Sequence, residues 1–200
     1  VRADLPADEA EAVGVYLAFI LSKVVNYNSV NTFWHYGRKT VAQTFSRHDF
    51  AFRPSFCEFE GARETVLWGA NQVINAYEEL AGLIHGHDAE PTGGKVIVPT
   101  VTCEDAAALT TPAPGTVHLI CVDPPYYNNV QYSELSNFFY VWLKRALRDF
   151  PGLAHLFREP LAESNREAVA NAARWKREAQ TAAAKWQDRY DEVFWDLRNK

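Results

Sequence analysis

The stretch Thr116-Val-His-Leu-Ile-Cys-Val-Asp-Pro-Pro-Tyr126 governs how the rest of the chain is interpreted. Thr116 to Val122 is a nearly continuous apolar run. Such a run suits a central parallel strand covered on both faces, where no side chain has water to face. Asp123 follows at once, and the two prolines behind it cannot continue a ladder because they carry no backbone N–H. The strand therefore ends on a stiff corner. In open α/β sheets, ligands bind beyond the carboxyl ends of the strands, which is where this corner falls.

On the carboxyl side of the corner, Ser133 to about Arg148 reads as a helix that stops at Pro151-Gly152. Leu161 to about Arg198 reads as helical, in one piece or two. Its apolar stripe runs through Trp175, Ala179, Ala182, Trp186, Tyr190, Val193 and Leu197 at spacings of three and four. On the amino-terminal side, Lys95 to Cys103 is β-rich, with Pro99 marking an edge or a break. Ala62 to about Leu83 has helical spacing, and Gly86 is its expected stop. Asp8 to about Asn26 is a helix whose acidic first turn (Asp8, Glu9, Glu11) suits the positive helix end. Tyr27 to Thr32 is Asn-rich and reads as a loop. Phe33 to Glu60 is aromatic but aperiodic, and its pattern assigns no element. Strand, loop and helix in this order point to an α/β fold. Residues 1–90 form a helical and aromatic insert region. Residues 91–200 form a partial catalytic α/β core with a long C-terminal helix.

The chain has 200 residues, 48% of them apolar and 22% charged, which argues for a packed core rather than disorder. The apolar run Val13–Leu21 is about half a membrane span, so no membrane association is expected. Three well-separated cysteines, Cys57, Cys103 and Cys121, make no C-x-x-C pair and exclude a disulfide scaffold. Cys103 and Cys121 sit in β-like runs and are expected to be buried thiols in a reducing, cytoplasmic setting. The six histidines show no metal-ligand spacing. The net charge of −5 is unevenly spread: residues 1–140 carry −8 and residues 141–200 carry +3. The basic end is a solvated helix face or a phosphate-facing surface.

Asp123-Pro124-Pro125-Tyr126 is the motif that carries chemistry. The prolines remove two donors and leave carbonyl acceptors on a rigid turn. Asp123 adds carboxylate acceptors, and Tyr126 adds an aromatic plate. Acceptors gathered around a point beside a stacking surface suit an exocyclic amino group on a flat base. An adenine N6 amine is a poor nucleophile because its lone pair is delocalised into the ring. Hydrogen bonds from its two N–H groups to Asp123 and to the Pro124 carbonyl draw the nitrogen toward tetrahedral geometry. Inside a duplex the amine is unreachable, so the base has to be flipped out.

Asp-Pro-Pro-Tyr after an apolar strand resembles motif IV of S-adenosylmethionine-dependent amino methyltransferases. The longer string Asp123-Pro-Pro-Tyr-Tyr-Asn-Asn-Val-Gln-Tyr-Ser-Glu-Leu-Ser-Asn-Phe-Phe-Tyr-Val-Trp-Leu-Lys-Arg145 resembles the adenine-specific DNA methylases that carry a DUF1156 region and often a zinc ribbon. Asn26-Tyr-Asn-Ser29, Thr44-Phe-Ser-Arg47 and Phe56-Cys-Glu-Phe59 are similar to the insert of that family. The resemblance implies a partial Rossmann-like class I methyltransferase sheet with a large helical insert. It also implies S-adenosyl-L-methionine as methyl donor, and DNA bearing a flipped adenine as partner. By the same resemblance Asp123, Pro124, Pro125 and Tyr126 form the catalytic loop. Tyr127, Asn128 and Asn129 lie over the base pocket. Asp105, in Cys103-Glu-Asp-Ala106, falls at an acidic position near the cofactor. Asp105 reads equally as a helix N-cap before Ala106 to Leu109.

The chain departs from the family in one respect. None of its ten glycines forms the G-x-G cradle that such enzymes place after their first strand. Together with the absence of methionine and a start at Val1, this leads to the expectation of an internal fragment lacking the main cofactor loop. Cytosine-N4 DNA transfer and guanine-N2 RNA transfer use the same loop and stay open. So does a non-catalytic scaffold whose C-terminal stripe pairs with a partner helix or with remaining parts of a longer chain.

Overall fold

The computed structural model describes residues 5–47, 53–85, 99–174 and 182–200. The chain divides into two units, Val1–Val98 with Leu135–Ala162, and Pro99–Glu134 with Glu163–Lys200. The sequence places 91–200 in one domain, whereas most of the helix after the prolyl corner clusters with the first unit. The physical reason is its apolar face: Phe138 and Phe139 meet the Phe45 ring edge-on at 5.4 and 5.8 Å.

In the first unit, helix α1 spans Ala7–Tyr27 and opens with Asp8 and Glu9. Its buried residues Ala10, Gly14 and Ala18 recur every fourth position. This small-residue stripe lets large neighbours come close. Ala18 packs with Leu147 and Phe150, bordered by Val15, Leu143, Leu153 and Phe157. Gly14 is needed for this packing, because a Cβ there would stand 2.6 Å from Cζ of Phe150. Glu11 contributes from the same helix by accepting the Gly152 N–H at 3.0 Å. By length and composition alone, α1 is also long and apolar enough to cross a membrane.

Helix α2 (Val66–His85) follows a π-helical turn, Gly61–Thr65. The Glu60 carboxylate accepts the N–H groups of Ala62, Arg63 and Glu64 at 3.1, 2.9 and 2.8 Å. These donors have no partner inside the helix, and the three bonds, led by those from Glu64 and Arg63, hold the Glu60 pKa below the ordinary range. The α2 backbone approaches α1 at Gly69, where a Cβ would lie 3.2 Å from that of Lys23. Tyr16 meets Tyr77 edge-on at 5.3 Å and Tyr27 meets Trp68 at 4.9 Å, sealing the two helices.

The aperiodic stretch after α1 resolves into a hairpin. Strand β1 (Phe33–His35) pairs antiparallel with β2 (Thr40–Ala42) in the register Trp34 opposite Val41. Lys39, at φ 50°, closes the turn. The segments around Asn28, Thr44 and Cys57 then converge at the end of α1. Asn28 Oδ1 accepts the Phe59 N–H at 2.9 Å. The backbone N–H and Oγ1 of Thr44 both donate to the Asn26 carbonyl, at 2.8 and 2.7 Å. Thr44 Oγ1 also meets Ser29 Oγ at 2.8 Å, and the fully buried Thr32 hydroxyl bridges the Ser29 and Cys57 carbonyls.

Helix α3 spans Tyr132–Leu147 and is succeeded by a short 3-10 turn, Ala154–Phe157. In the second unit, the first turn of α3 is held by an ionic cluster. Ser133 donates its N–H and hydroxyl to Glu167 at 2.9 and 2.7 Å. Arg174 bonds Glu134 at 2.6 Å, Glu167 at 3.0 Å and Ser133 Oγ at 2.9 Å. Val130, Val169 and Ala170 are buried in the same unit. Helix α4 (Ala182–Arg198) presents Trp186, Tyr190 and Phe194 as a ring ladder, which Tyr127 extends by meeting Trp186 edge-on at 4.9 Å.

Three expectations need correction. Among the described residues the only sheet is the β1–β2 hairpin. Thr116–Val122 has no ladder partner there, and its apolar side chains face solvent, with Leu119 84% exposed. A central strand exists only where neighbours satisfy its backbone on both sides, and no described segment does so. Lys95–Val98, the start of the other expected strand, lies outside the described residues, as do Gly86 and the stripe positions Trp175 and Ala179. Cys103 and Cys121, expected to be buried, are exposed, and their segments join no sheet among the described residues. Finally, the stretch from Leu161 is irregular through Arg174, where Asn171 Oδ1 takes the Ala173 and Arg174 N–H groups in a turn. Among the described residues the helix spans Ala182–Arg198.

Candidate functional site

The prolyl corner lines an open cavity of about 720 Å³ within the second unit. Asp123, Pro124 and Pro125 form one wall, and Glu104, Asp105 and Ala106 another. Tyr190, Val193, Phe194 and Leu197 come from α4. The α4 contribution follows from its spacing of three and four, which puts these side chains on one face.

The two carbonyls of the corner differ. That of Pro125 accepts a hydrogen bond from the Tyr190 hydroxyl. That of Pro124 and the exposed Asp123 carboxylate accept none from the described residues. Two acceptor groups of the corner thus take no hydrogen bond from the described residues, while the third is used to fasten the turn. Tyr126 is exposed and does not line the cavity. Its N–H donates to the Tyr132 hydroxyl at 3.4 Å.

Tyr127, Asn128 and Asn129 form a β-turn closed by the Asn129 N–H on the Tyr126 carbonyl at 2.9 Å. Tyr127 sits at φ 27°, a left-handed conformation that costs energy for a non-glycine residue. Its ring packs on Trp186, and its carbonyl accepts the Ala170 N–H at 2.9 Å. These contacts hold it there. Tyr127 therefore serves as an anchor of the loop, while Asn128 and Asn129 are exposed at its tip.

Asp105 reaches the cavity wall, and its carboxylate is paired with charge although Oδ2 takes no hydrogen bond from the described residues. Oδ1 accepts the Ala107 N–H at 3.0 Å, and the Arg166 and Arg189 guanidiniums both pair with the group. The N-cap-like bond is made, yet the residues after it form a turn rather than a helix. Beside it, Glu104 receives the Thr110 hydroxyl at 2.7 Å, the Thr110 N–H and the Thr111 N–H, and these bonds lower its pKa to about 2.

Sequence reasoning does not single out the arginines or Tyr190 as site residues. In the sequence Tyr190 is one position of an apolar stripe. A hydroxyl on such a stripe is the signal that it meets a polar group, here the Pro125 carbonyl. Arg166 lies in the segment expected to be helical and offers no sequence signal of its own. No family model, no curated protein and no solved structure matches the chain.

Proposed function

We propose that the chain carries the amine-binding part of a DNA adenine-N6 methyltransferase of the class I, Rossmann-like kind, with S-adenosyl-L-methionine as methyl donor. The supporting observation is the asymmetry of the corner: the Asp123 carboxylate and the Pro124 carbonyl take no hydrogen bond from the described residues, while the Pro125 carbonyl is tied to Tyr190. The two N–H bonds of a flipped adenine amine match those two acceptors. Donating both pulls the nitrogen lone pair out of conjugation, which the ring otherwise withholds from reaction. Tyr126, exposed beside the corner, offers a stacking face to the extruded base.

The described residues do not fit the methyl donor itself. Asp105, the matched acidic position, is neutralised by two arginines, and no glycine lines the cavity among the described residues. On this reading the donor's cradle belongs to segments other than those described. Thr116–Val122 is then an unfilled place in a larger sheet, which accounts for the solvent exposure of Leu119, Ile120 and Val122. The remaining parts of a longer chain, or a partner, would cover it. The three free thiols suit the cytoplasm, where such an enzyme meets DNA.

The test is methyl transfer to adenine in DNA by the full-length protein, read by nucleoside analysis of the product. Asp123→Ala is expected to lower turnover by roughly 100-fold or more, with an unchanged circular dichroism spectrum. Turnover that survives the substitution rejects the reading. Methyl on cytosine N4 or guanine N2 instead would redirect it.

A further inference from the structure

A second cavity, of about 380 Å³, lies in the first unit between the hairpin, the end of α1 and the start of α2. Its size falls within the roughly 300–1,000 Å³ of small-ligand sites. Its lining divides into two chemistries. Tyr27 and Trp68 meet at 80°, with Phe59 beside the indole, so the walls include a corner of perpendicular aromatic planes. A flat ring stacked on one plane meets the other edge-on, a favourable geometry on both sides. The remaining lining is rich in donors. Arg38 supplies a guanidinium and makes no ion pair among the described residues. Gln43 supplies an amide. His35 accepts the Arg38 N–H on Nδ1 at 3.1 Å, which leaves Nε2 as a donor. No carboxylate lines the cavity among the described residues. Lys23 adds positive charge next to the same indole, its Nζ 5.9 Å from the ring centre.

Aromatic walls and a guanidinium with no opposing acid among the described residues describe a ligand that joins a flat ring to an anion. We propose that this pocket binds a nucleoside monophosphate unit, with the base in the Tyr27–Trp68 corner and the phosphate on Arg38. The site lies on residues other than those of the prolyl corner and does not depend on methyl transfer there. The shared chemistry belongs equally to a free nucleotide and to one residue of a single strand.

The experiment is calorimetry on the full chain carrying Asp123→Ala, so that the prolyl corner cannot supply the signal. The probes are deoxyadenosine monophosphate, deoxyadenosine, deoxyribose 5-phosphate and a short single-stranded oligodeoxyadenylate. Saturable binding of the monophosphate is expected, with deoxyadenosine weaker by about tenfold, the value of a charge-assisted bond. Deoxyribose 5-phosphate is expected to bind weakly or not at all. Arg38→Ala should abolish the difference between monophosphate and nucleoside, a readout that a purely structural role would not move. An oligonucleotide that binds more tightly than the monophosphate identifies a nucleic-acid strand as the source. The reverse order identifies a free nucleotide. No heat with the monophosphate, or a preference for it that survives Arg38→Ala, overturns the proposal. Neither result touches the methyltransferase reading, which rests on other residues.

Discussion

The Tyr190 hydroxyl, on helix α4, donates to the carbonyl of Pro125 across 65 residues of sequence. A prolyl turn cannot fasten itself through its own N–H groups, so it is held from outside, by a phenol whose ring is already fixed between Trp186 and Phe194. Tyr190→Phe keeps the ring and removes the bond. It is expected to cost about 1 kcal/mol in urea unfolding without changing the ring ladder, and, if the proposed function holds, to slow methyl transfer by the full-length protein. Burial raises the Tyr190 pKa above its ordinary value of 10.0. A raised folded value means that the stabilisation is whole below the unfolded pKa and fades as pH climbs through the folded one. The bond therefore persists across neutral pH. Unfolding free energies unaltered by Tyr190→Phe would show that the contact does not hold the turn.

Arg174 is the hub of the second unit. Its side chain is only 14% exposed, and that of Glu167 11%. Burial opposes the arginine's charge, but Glu134 and Glu167 outweigh it and raise its pKa. Arg174→Ala leaves Glu167 buried without its cation and is expected to destabilise by about 3 kcal/mol. Glu167→Gln with Arg174 kept should cost less, because the amide still accepts from Ser133. Equal losses for both substitutions would contradict the hub.

The same cluster sets a pH dependence. Burial pushes the Glu134 carboxyl up more than any single contact lowers it, yet the Arg174 hydrogen bond and charge, its own backbone N–H and the Ser133 hydroxyl together outweigh burial, and its pKa ends below the ordinary value of 4.5. The depressed folded value means that the contribution is complete above about pH 4.5 and disappears as pH falls through the folded pKa. Unfolding measured from neutral pH downward should show stability falling in that acid window. Glu134→Gln should flatten the fall there, and an unchanged slope would exclude the group.

Gly14→Ala tests the packing of the first unit. Its new Cβ, 2.6 Å from the Phe150 ring, has to displace a buried side chain, and a loss of about 1–3 kcal/mol is expected. Phe150→Leu in the same chain should recover part of the loss, since it removes the obstructing ring. A double variant no more stable than the sum of the single changes predicts would place the strain elsewhere.

The local elements were legible in the sequence because they rest on neighbours a few residues apart. The acidic opening of α1 and the helix expected from Ser133 to about Arg148 are such local signals, whereas the buried stripe Ala10, Gly14 and Ala18 emerges only in the fold. The corner Asp123-Pro124-Pro125 was legible for the same reason: proline removes its donors wherever it stands. Hidden from the sequence was the matter of which distant groups would be spent on one another. That Asp105 is consumed by Arg166 and Arg189, and that Pro125 rather than Pro124 gives its carbonyl to Tyr190, depends on contacts between segments far apart in the chain. The convergence of Asn28, Thr44 and Thr32 around the end of α1 is likewise a tertiary outcome of three short polar stretches with no period to betray it. The apolar run Thr116–Val122 marks the limit most clearly. Hydrophobicity dictates that these residues seek cover, but a strand is a property of a pair, and whether the partner is there is settled by the folded chain alone.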